Sequence, residues 1–457
     1  MDQKIFISNT LSKKTEEFEP IVKGKVNFFV CGPTVYDFPH LGHAKTYTQF
    51  DFIVRYLRYR GFEVNYVQNI TDIDDKIINR SIEKGVRWSD LAREFENVYK
   101  KDMKALGNDS VTKYARATDY INEIVGQVKV LMDKGFAYQI SDGIYYEVAK
   151  FAGYGKLSGR TELQAEDSIS RIDENKEKRG WNDFCLWKIS KEGEPFWETE
   201  LGKGRPGWHI EDTAITETLF GPQYDIHGGA VDLIFPHHEA EISQIEAASG
   251  KSPMVKYWLH TGFLNIDSKK MSKSKGNFKT IREALAQYDF RVLRYLFLGS
   301  HYRSAMDFTD TILEQSKNSL KRIQEFVDKI DKSIENYDEK KVVEELRLKI
   351  NKALGNDFDT PSAFAILFEF VRSQNTKGVS GKYIYDYFIE LNGFLNILEF
   401  EKEEIPSEII DLAKKRIEAK MNKNWNEADR LRELIKKKGY LVEDTKDDCK
   451  IKRIMLS

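Results

Sequence analysis

Two strand-like segments and the helix-like segment between them limit the folds open to this chain. The runs VNFFV (26–30) and VNYVQNI (64–70) are short, apolar and rich in β-forming residues. Between them, QFDFIVRYLRYRG (49–61) repeats apolar residues at helical spacing and ends at Gly61, a typical helix-terminating residue. A strand, a helix and a strand within about 45 residues predict a βαβ unit with parallel strands. Ligands of such sheets bind at the carboxyl ends of the strands, so the residues that follow Val30 are candidate site residues.

The segment PHLGHAKT (39–46) lies in that region. His40 and His43 stand three residues apart, with Gly42 between them. A glycine lets a ligand approach the backbone, while imidazoles and the amides of a helix start can donate to phosphate oxygens. The alternative interpretation is an ordinary helix start with two exposed histidines.

A second basic segment, DSKKMSKSKGN (267–277), contains Lys269, Lys270, Lys273 and Lys275. As a solvated loop it would be unremarkable. As a phosphate clamp it would supply cations while negative charge builds on a leaving pyrophosphate, where fixed positive charge lowers a barrier most.

Together, HLGH and KMSKS resemble the two signatures of the class I aminoacyl-tRNA synthetases, with Leu41 in the usual isoleucine position and a full match at residues 270–274. Four further segments occur in the order typical of the cysteinyl-tRNA synthetase family: CGPTVYD (31–37), NITDIDDK (69–76), GRPGWHIED (204–212) and DIHGGAVDLIFPHHEAE (225–241). The likeness runs from about Phe6 to Phe308. It continues more weakly through NDFDTPSA (356–363) and NKNWNEADRLRELI (422–435) to the C-terminus.

This resemblance implies an α/β fold, in which a Rossmann-type parallel-sheet catalytic domain is split by an insertion and followed by an α-helical bundle and a small C-terminal anticodon-binding unit. We expect the following limits: catalytic domain, first half, 1–110; insertion, or connective peptide, 111–200; catalytic domain, second half, 201–262; connecting fold with the KMSKS loop, 263–310; tRNA-binding helical bundle, 311–400; C-terminal unit, 405–457. Residues 411–457 carry 14 Lys and Arg against 9 Asp and Glu, a net charge of +5 that suits an RNA partner.

Three residue types point to a metal. His237 and Glu241 are four apart, so a helix could present both to one ion, although such a pair is more often a surface ion pair. Cys31 ends the first strand at the ligand edge, and a thiolate with imidazole and carboxylate makes a plausible zinc shell. The resemblance implies one zinc per chain that binds the thiolate of the substrate and so selects cysteine over serine. Where the family has a second cysteine this chain has Asp212, which keeps the negative charge, and we expect it to be the fourth ligand.

The resemblance also assigns roles to single residues. Catalysis falls to His40, His43, Lys270 and Lys273, and binding of ATP, with Mg²⁺, to His40, Gly42, His43, Met271, Ser272, Lys273 and Ser274. Cysteine is expected to contact Cys31, Gly32, Thr71, Trp208 and His227, although Trp208 would suit a core equally well. Asp429 and Asp444 are expected to contact cysteine tRNA, although a helix-surface ion pair explains Asp429 about as well.

The amino-acid composition bears on the cellular compartment in which the protein acts. Three cysteines in 457 residues are too few for a disulfide framework, and we expect a cytoplasmic protein. No stretch approaches the roughly 18 apolar residues of a membrane helix, so no membrane contact is expected, and the chain is expected to be a monomer.

Two other functions remain open at this point. One is a related ligase that passes activated cysteine to an amino sugar, and the basic C-terminal unit argues against it. The other is a non-catalytic RNA-binding or regulatory protein built on a decayed synthetase. The intact HLGH and KMSKS segments argue against that.

Overall fold

The computed structural model describes residues 3–160, 175–266, 269–270, 279–400, 405–422, 424–444 and 449–453. The chain divides into two compact units, Met1–Leu398 and Glu399–Ser457. Met271, Ser272, Lys273 and Ser274 lie outside the described residues, so the predictions for them remain predictions.

The strands are β1 Phe6–Asn9, β2 Lys14–Glu17, β3 Lys25–Val30, β4 Glu63–Ile70, β5 Lys113–Arg116, β6 Ala137–Ile140, β7 Gly143–Tyr146, β8 Phe184–Ile189, β9 Trp197–Thr199, β10 Gly202–Pro206, β11 Tyr224–Ala230, β12 Val255–Thr261, β13 Leu264–Ile266, β14 Lys269–Lys270, β15 Met306–Phe308, β16 Tyr440–Asp444 and β17 Cys449–Arg453. The helices are α1 Leu41–Tyr59, α2 Asp75–Lys84, α3 Trp88–Ala105, α4 Ile121–Asp133, α5 Ile210–Phe220, α6 Glu239–Ser249, α7 Ile281–Leu285, α8 Phe290–Leu298, α9 Asp310–Asp328, α10 Asp338–Leu354, α11 Thr360–Lys377, α12 Lys382–Leu395, α13 Ser407–Met421 and α14 Trp425–Lys437.

A five-stranded parallel sheet forms the centre of the first unit. Its order is β12-β11-β3-β4-β5, and every neighbouring pair is parallel. The predicted βαβ unit is β3, α1 and β4. Strand order reverses at β3, which lies between β4 and β11, and such a reversal opens a crevice at the carboxyl ends of the two strands. The sheet confirms the predicted α/β class and its Rossmann-type arrangement.

A second, antiparallel sheet of order β6-β7-β8-β10-β9 interrupts the first along the chain. The strand β5 falls in the range 111–200 that we predicted as an insertion, yet it pairs with β4 in the parallel sheet. The strand β10 lies beyond residue 200, yet it pairs with β8 and β9 in the antiparallel sheet. Neither strand carries an apolar run, since their sequences are KYAR and GKGRP, so hydrophobic patterning gave no sign of them.

Helix α1 is longer and more deeply buried than its sequence pattern indicated. It begins at Leu41, at the helix start that HLGH indicated and eight residues before the apolar repeat at 49–61, and His40 caps its first turn. Its buried face includes a charged side chain, Lys45, which is fully buried and donates to the carbonyl oxygen of Gly262 at 2.8 Å and to Gln49 Oε1 at 3.1 Å. The polar residues on the buried side hid the beginning of the helix from a hydrophobic pattern.

The remainder of the first unit is mainly helical. The small sheet β14-β13-β15 follows the parallel sheet, and α9 to α12 form the helical part predicted for residues 311–400. The apolar face of α9 is buried, with Ile323 fully inaccessible to solvent.

The second unit is small. Helices α13 and α14 pack with the antiparallel hairpin β16–β17 around a core of Ile409, Ala413, Ile435 and Val442. Across the described ranges of both units, none of the helices combines the length and the apolar character that a membrane crossing requires.

Candidate active site

A cavity of about 290 Å³ opens at the carboxyl ends of β3 and β11. Nine of the residues predicted for the site contribute to its wall: Cys31, Gly32, His40, Gly42, His43, Thr71, Trp208, Asp212 and His237. These residues come from segments up to 206 positions apart in sequence, from Cys31 to His237, and the reversal of strand order at β3 brings them together.

The two histidines of HLGH cap the helix that they begin. The amide of His43 donates to Nδ1 of His40, and the amide of His40 donates to Nδ1 of His43, each at 3.3 Å. The rings stack with centroids 3.8 Å apart. Because both Nδ1 atoms accept a hydrogen bond, each neutral ring carries its proton on Nε2. The pair therefore presents two Nε2–H donors beside the positive end of α1, which suits phosphate.

The chain that follows the KMSKS segment returns to this pair. The amide of Leu41 donates to the carbonyl oxygen of Lys279 at 3.1 Å, and the amide of Ile281 donates to that of Pro39 at 3.1 Å. On the other side, β14 includes the backbone of Lys270. The residues 279–281, on the C-terminal side of the lysine segment, therefore lie next to the histidine pair.

Four predicted metal ligands converge beside the cavity. Nε2 of His237 lies 3.0 Å from Oδ2 of Asp212 and 2.9 Å from Oε1 of Glu241. Sγ of Cys31 lies 3.9 Å from Oε1 of Glu241. All four side chains are buried, and one ligand atom from each lies within 4.8 Å of the others. The helical neighbour relation expected for His237 and Glu241 is present, with His237 in the turn before α6 and Glu241 in its first turn.

Electrostatics in this cluster favour a cation. Burial opposes the charged form of His237, but the carboxylates of Glu241 and Asp212 outweigh it and raise its pKa to about 9. Burial raises the pKa of Glu241 to about 7 against the opposing charge of His237. Burial, together with the charges of Glu241 and Asp212, raises the pKa of the Cys31 thiol well above its ordinary value. A bound dication would relieve this crowding of acidic groups.

The donor set fits zinc. Oδ1 of Asp212 and Oε2 of Glu241 are buried and, among the described residues, have no hydrogen-bond partner. Buried carboxylate oxygens without a donor are costly, and a metal ion is one way to satisfy them. One thiol, one imidazole and two carboxylates are all ligand types that zinc accepts.

Sequence reasoning missed a second set of contacts around Cys31. Nε2 of His227 and Nε2 of His238 each lie 3.2 Å from its Sγ. Their other ring nitrogens have partners, since His227 Nδ1 pairs with the Tyr224 hydroxyl at 2.7 Å and His238 Nδ1 with His260 Nε2 at 2.8 Å. His227, predicted to contact the substrate, therefore lies against Cys31 in the protein interior. The doubled histidine at 237–238 was the available signal for His238.

The remaining wall residues are held in fixed positions. Gly32 is required where it stands, because a Cβ there would lie 1.8 Å from the carbonyl oxygen of Asn69. The Thr71 hydroxyl donates to Glu211, a buried carboxylate whose pKa is raised by burial and by Asp212, and which sequence reasoning also missed. Trp208 is half-buried and stacks on His237 with ring centroids 4.2 Å apart, so it lines the cavity rather than the core.

Two predicted residues belong to the second unit. Asp429 lies on α14 and is exposed, and Asp444 ends β16.

Comparison with known proteins identifies the class. A family model described as "tRNA synthetases class I (C) catalytic domain" matches residues 17–318. Solved structures share the fold. A methionyl-tRNA synthetase of Mycobacterium tuberculosis with methionyl-adenylate superposes with a TM-score of 0.59 at 15% identity, covering 82% of this chain and 88% of that one. A leucyl-tRNA synthetase in a ternary complex, from Agrobacterium radiobacter K84, gives 0.60 at 11% identity, covering 83% and 84%. The fold is that of the class I aminoacyl-tRNA synthetases.

Sequence relatives narrow the class further. The chain is 41% identical to a cysteine–tRNA ligase of Clostridioides difficile (strain 630), over 98% of this chain and 100% of the relative. It is 44% identical to a cysteine–tRNA ligase of Thermoplasma acidophilum, over 96% of this chain and 98% of the relative. The chain belongs to the cysteinyl-tRNA synthetase family, which confirms the resemblance seen in its motifs.

Proposed function

We propose that the protein attaches cysteine to the 3′ end of cysteine tRNA in two ATP-dependent steps. In the first, the carboxylate of cysteine attacks the α-phosphate of ATP, the bond between that phosphorus and the bridging oxygen breaks, and pyrophosphate leaves. In the second, a hydroxyl of the terminal ribose attacks the cysteinyl carbonyl, the bond to AMP breaks, and the proton leaves with the AMP phosphate. One observation carries the proposal: a single cavity joins the stacked histidines to Cys31, Asp212 and His237.

The phosphates of ATP, with Mg²⁺, are assigned to the histidine end of this cavity. His40 and His43 donate through Nε2, and Gly42 leaves the backbone accessible. Lys270 and Lys273 are assigned to the negative charge that builds on the leaving pyrophosphate, and Met271, Ser272 and Ser274 to the nucleotide. No side chain needs to act as a covalent nucleophile, since positioning and fixed charge supply the catalysis.

Cysteine is assigned to the other end, between Thr71 and Trp208 and next to Gly32. We propose one zinc ion per chain, held by Cys31, Asp212, His237 and Glu241. Zinc bound there supplies a Lewis acid that accepts a thiolate far more readily than a neutral hydroxyl. The two carboxylate oxygens without hydrogen bonds support a dication.

Transfer RNA is assigned to the helical part at 311–400 and to the C-terminal unit at 405–457, with Asp429 and Asp444 among the contacts to the anticodon. The net charge of +5 over residues 411–457 supports this assignment. We propose a monomer that acts in the cytoplasm, where reducing conditions keep Cys31 a thiol.

Aminoacylation of transcribed cysteine tRNA, with serine as the competing amino acid, tests the proposal. We expect charging with cysteine and none with serine, preceded by cysteine-dependent exchange between ATP and pyrophosphate. Exchange without tRNA charging, but with transfer of cysteine to an amino sugar, would favour the related ligase instead. Inactivity in both assays would favour the non-catalytic RNA-binding or regulatory protein.

A further inference from the structure

Two consecutive residues between α10 and α11, Asp357 and Phe358, hold a backbone conformation that side chains rarely adopt. Their φ angles are 55° and 57°, in the left-handed region that favours glycine. Aspartate is found there more often than most residues, but a bulky phenylalanine is strained. Both side chains are buried. Because such a conformation persists only when its surroundings hold it, the contacts of this segment indicate what it does.

The Asp357 carboxylate joins separate parts of the chain. Its Oδ1 accepts the amide of Ser8, in β1, and the hydroxyl of Tyr302, each at 2.8 Å. Its Oδ2 lies 3.3 Å from Nη1 of Arg303. The amide of Asp357 donates to the carbonyl oxygen of Phe6, also in β1, at 2.9 Å. The left-handed segment is therefore held by β1 and by the two residues that follow His301.

Tyr302 connects this carboxylate with the wall of the candidate active site. Its carbonyl oxygen accepts the amide of Gly262 at 2.9 Å and Nζ of Lys45 at 3.4 Å. Gly262 lines the cavity of the candidate active site. A Cβ at Gly262 would lie 2.4 Å from the carbonyl oxygen of Ser304, so only glycine allows these two segments to approach so closely. Burial and the Asp357 carboxylate raise the pKa of Tyr302 well above its ordinary value, so its hydroxyl remains the donor.

The chain that follows Gly262 leads to the lysine segment. The strand β13 begins two residues later, and it pairs with β15 through Leu264 and Met306. On its other edge β13 pairs with β14, where Asn265 lies opposite Lys270. Among the described strands, β14 pairs with β13 alone. The position of the Lys270 backbone therefore depends on β13, and Tyr302 holds the residue from which β13 starts.

We propose that Asp357 and Tyr302 are positioning residues for Lys270: the carboxylate holds the tyrosine, the tyrosine holds Gly262, and β13 holds the backbone of the lysine. The inference rests on the proposed function, in which Lys270 meets the negative charge on the leaving pyrophosphate. In the described part of the chain, neither Asp357 nor Tyr302 lines the active-site cavity, so both act through β13. A fixed charge lowers a barrier only where it is already in place, and a displacement of about 1 Å can cost about a hundredfold in rate.

Tyr302→Phe keeps the ring and removes the hydroxyl that donates to Asp357. It should lower kcat of cysteine-dependent pyrophosphate exchange by about tenfold, less than the loss of a fixed charge would, because the lysine is displaced rather than removed. The KM for cysteine should stay within about twofold of wild type. The matched control is Tyr56→Phe, which removes a buried hydroxyl that donates to the carbonyl oxygen of Asn351 at 3.4 Å, and it should keep the wild-type kcat.

Replacements of Asp357 test the other half of the connection. Asp357→Asn keeps an oxygen that can accept from Ser8 and Tyr302, and asparagine tolerates the left-handed backbone, so this variant should stay within about threefold of the wild-type kcat. Asp357→Ala removes the acceptor and should lose at least as much activity as Tyr302→Phe.

A double-mutant cycle with Lys270→Ala separates positioning from a general loss of stability. If Tyr302 acts through Lys270, the double variant should exchange pyrophosphate within about twofold of Lys270→Ala alone. If its hydroxyl only stabilises the fold, the tenfold loss should recur in the Lys270→Ala background. Urea unfolding of each variant shows that the protein assayed is folded.

Other results would overturn the proposal. Wild-type kcat in Tyr302→Phe would refute it, and so would a full further loss in the double variant. Wild-type exchange by Lys270→Ala would remove the role of that lysine, and the proposal would fall with it. A wild-type protein that does not exchange pyrophosphate would refute the proposed function itself, a result that no variant can imitate.

Discussion

Replacement of His43 by alanine removes two interactions whose magnitudes differ, and the difference can be measured. The first is structural: Nδ1 of His43 accepts the amide of His40 at 3.3 Å, and loss of such a helix cap costs about 1 kcal/mol of unfolding free energy. The second is the Nε2–H donor assigned to the phosphates of ATP. Removal of one fixed donor of this kind typically lowers kcat by about a hundredfold to a thousandfold.

The structural loss is too small to explain a rate loss of that size. A domain with about 5–15 kcal/mol of stability stays almost entirely folded after losing 1 kcal/mol. We therefore expect His43→Ala to lower kcat of pyrophosphate exchange by about a hundredfold or more, with the KM for cysteine little changed. Urea unfolding of the same samples measures the contribution of the cap to the free energy of unfolding.

His43→Asn is the matched variant, because an amide side chain can accept at the helix start and still donate to a phosphate. We expect it to recover the unfolding free energy and part of the rate. A His43→Ala protein with kcat within about fivefold of wild type and the expected loss of stability would show that the histidine pair caps α1 and does no more.

Further predictions concern other parts of the chain. Lys273→Ala should lower adenylate formation by about two to three orders of magnitude in the exchange assay, with cysteine affinity unchanged; equal losses in cysteine binding would contradict its role. Metal analysis of the wild type should find about one zinc per chain. Asp212→Cys should keep the zinc, whereas Asp212→Ala should bind it more weakly and should activate serine as well as cysteine. A zinc-free wild type that still rejects serine would refute the metal assignment. A chain that ends before residue 405 should keep cysteine-dependent exchange and lose tRNA charging, and unimpaired charging would place tRNA recognition elsewhere. Burial lowers the pKa of Lys45 from 10.5 to about 7, so between those values the unfolded chain binds more protons than the folded one, and stability should rise with pH by up to about 1.4 kcal/mol per unit. Urea unfolding at pH 7 and pH 9 should show that rise in wild type and lose it in Lys45→Met.

Local patterns were enough to predict the first βαβ unit and the capped helix start. The spacing of VNFFV and VNYVQNI identified β3 and β4, and HLGH coincided with the first residues of α1. These features depend on residues close together in sequence. The strand β5 was missed because its four residues carry no apolar run, and its place follows from pairing with β4.

The candidate metal cluster was predicted from the place of Cys31 at the end of the first strand, from the spacing of His237 and Glu241, and, for Asp212, from the resemblance to a family. The contact between His238 and His260 could not be read from the sequence, since it depends on how the segment after β11 packs against β12. The same holds for Glu211, whose partner Thr71 lies 140 positions earlier. These contacts depend on how segments distant in the sequence pack together, and no short motif encodes that packing.

The position of β3 between β4 and β11 also affects the order in which the chain can fold during synthesis on the ribosome. Sγ of Cys31 meets His227 and Glu241, which follow it by 196 and 210 positions. The histidines of HLGH, by contrast, have their helix and two neighbouring strands after about 70 residues of synthesis. Closure of such long-range contacts is slow, and the edge of β3 stays open to wrong partners until β11 arrives. A nascent chain shorter than 224 residues would thus contain the histidine pair proposed to bind phosphate but would still lack His227 and Glu241, which complete the surroundings of Cys31.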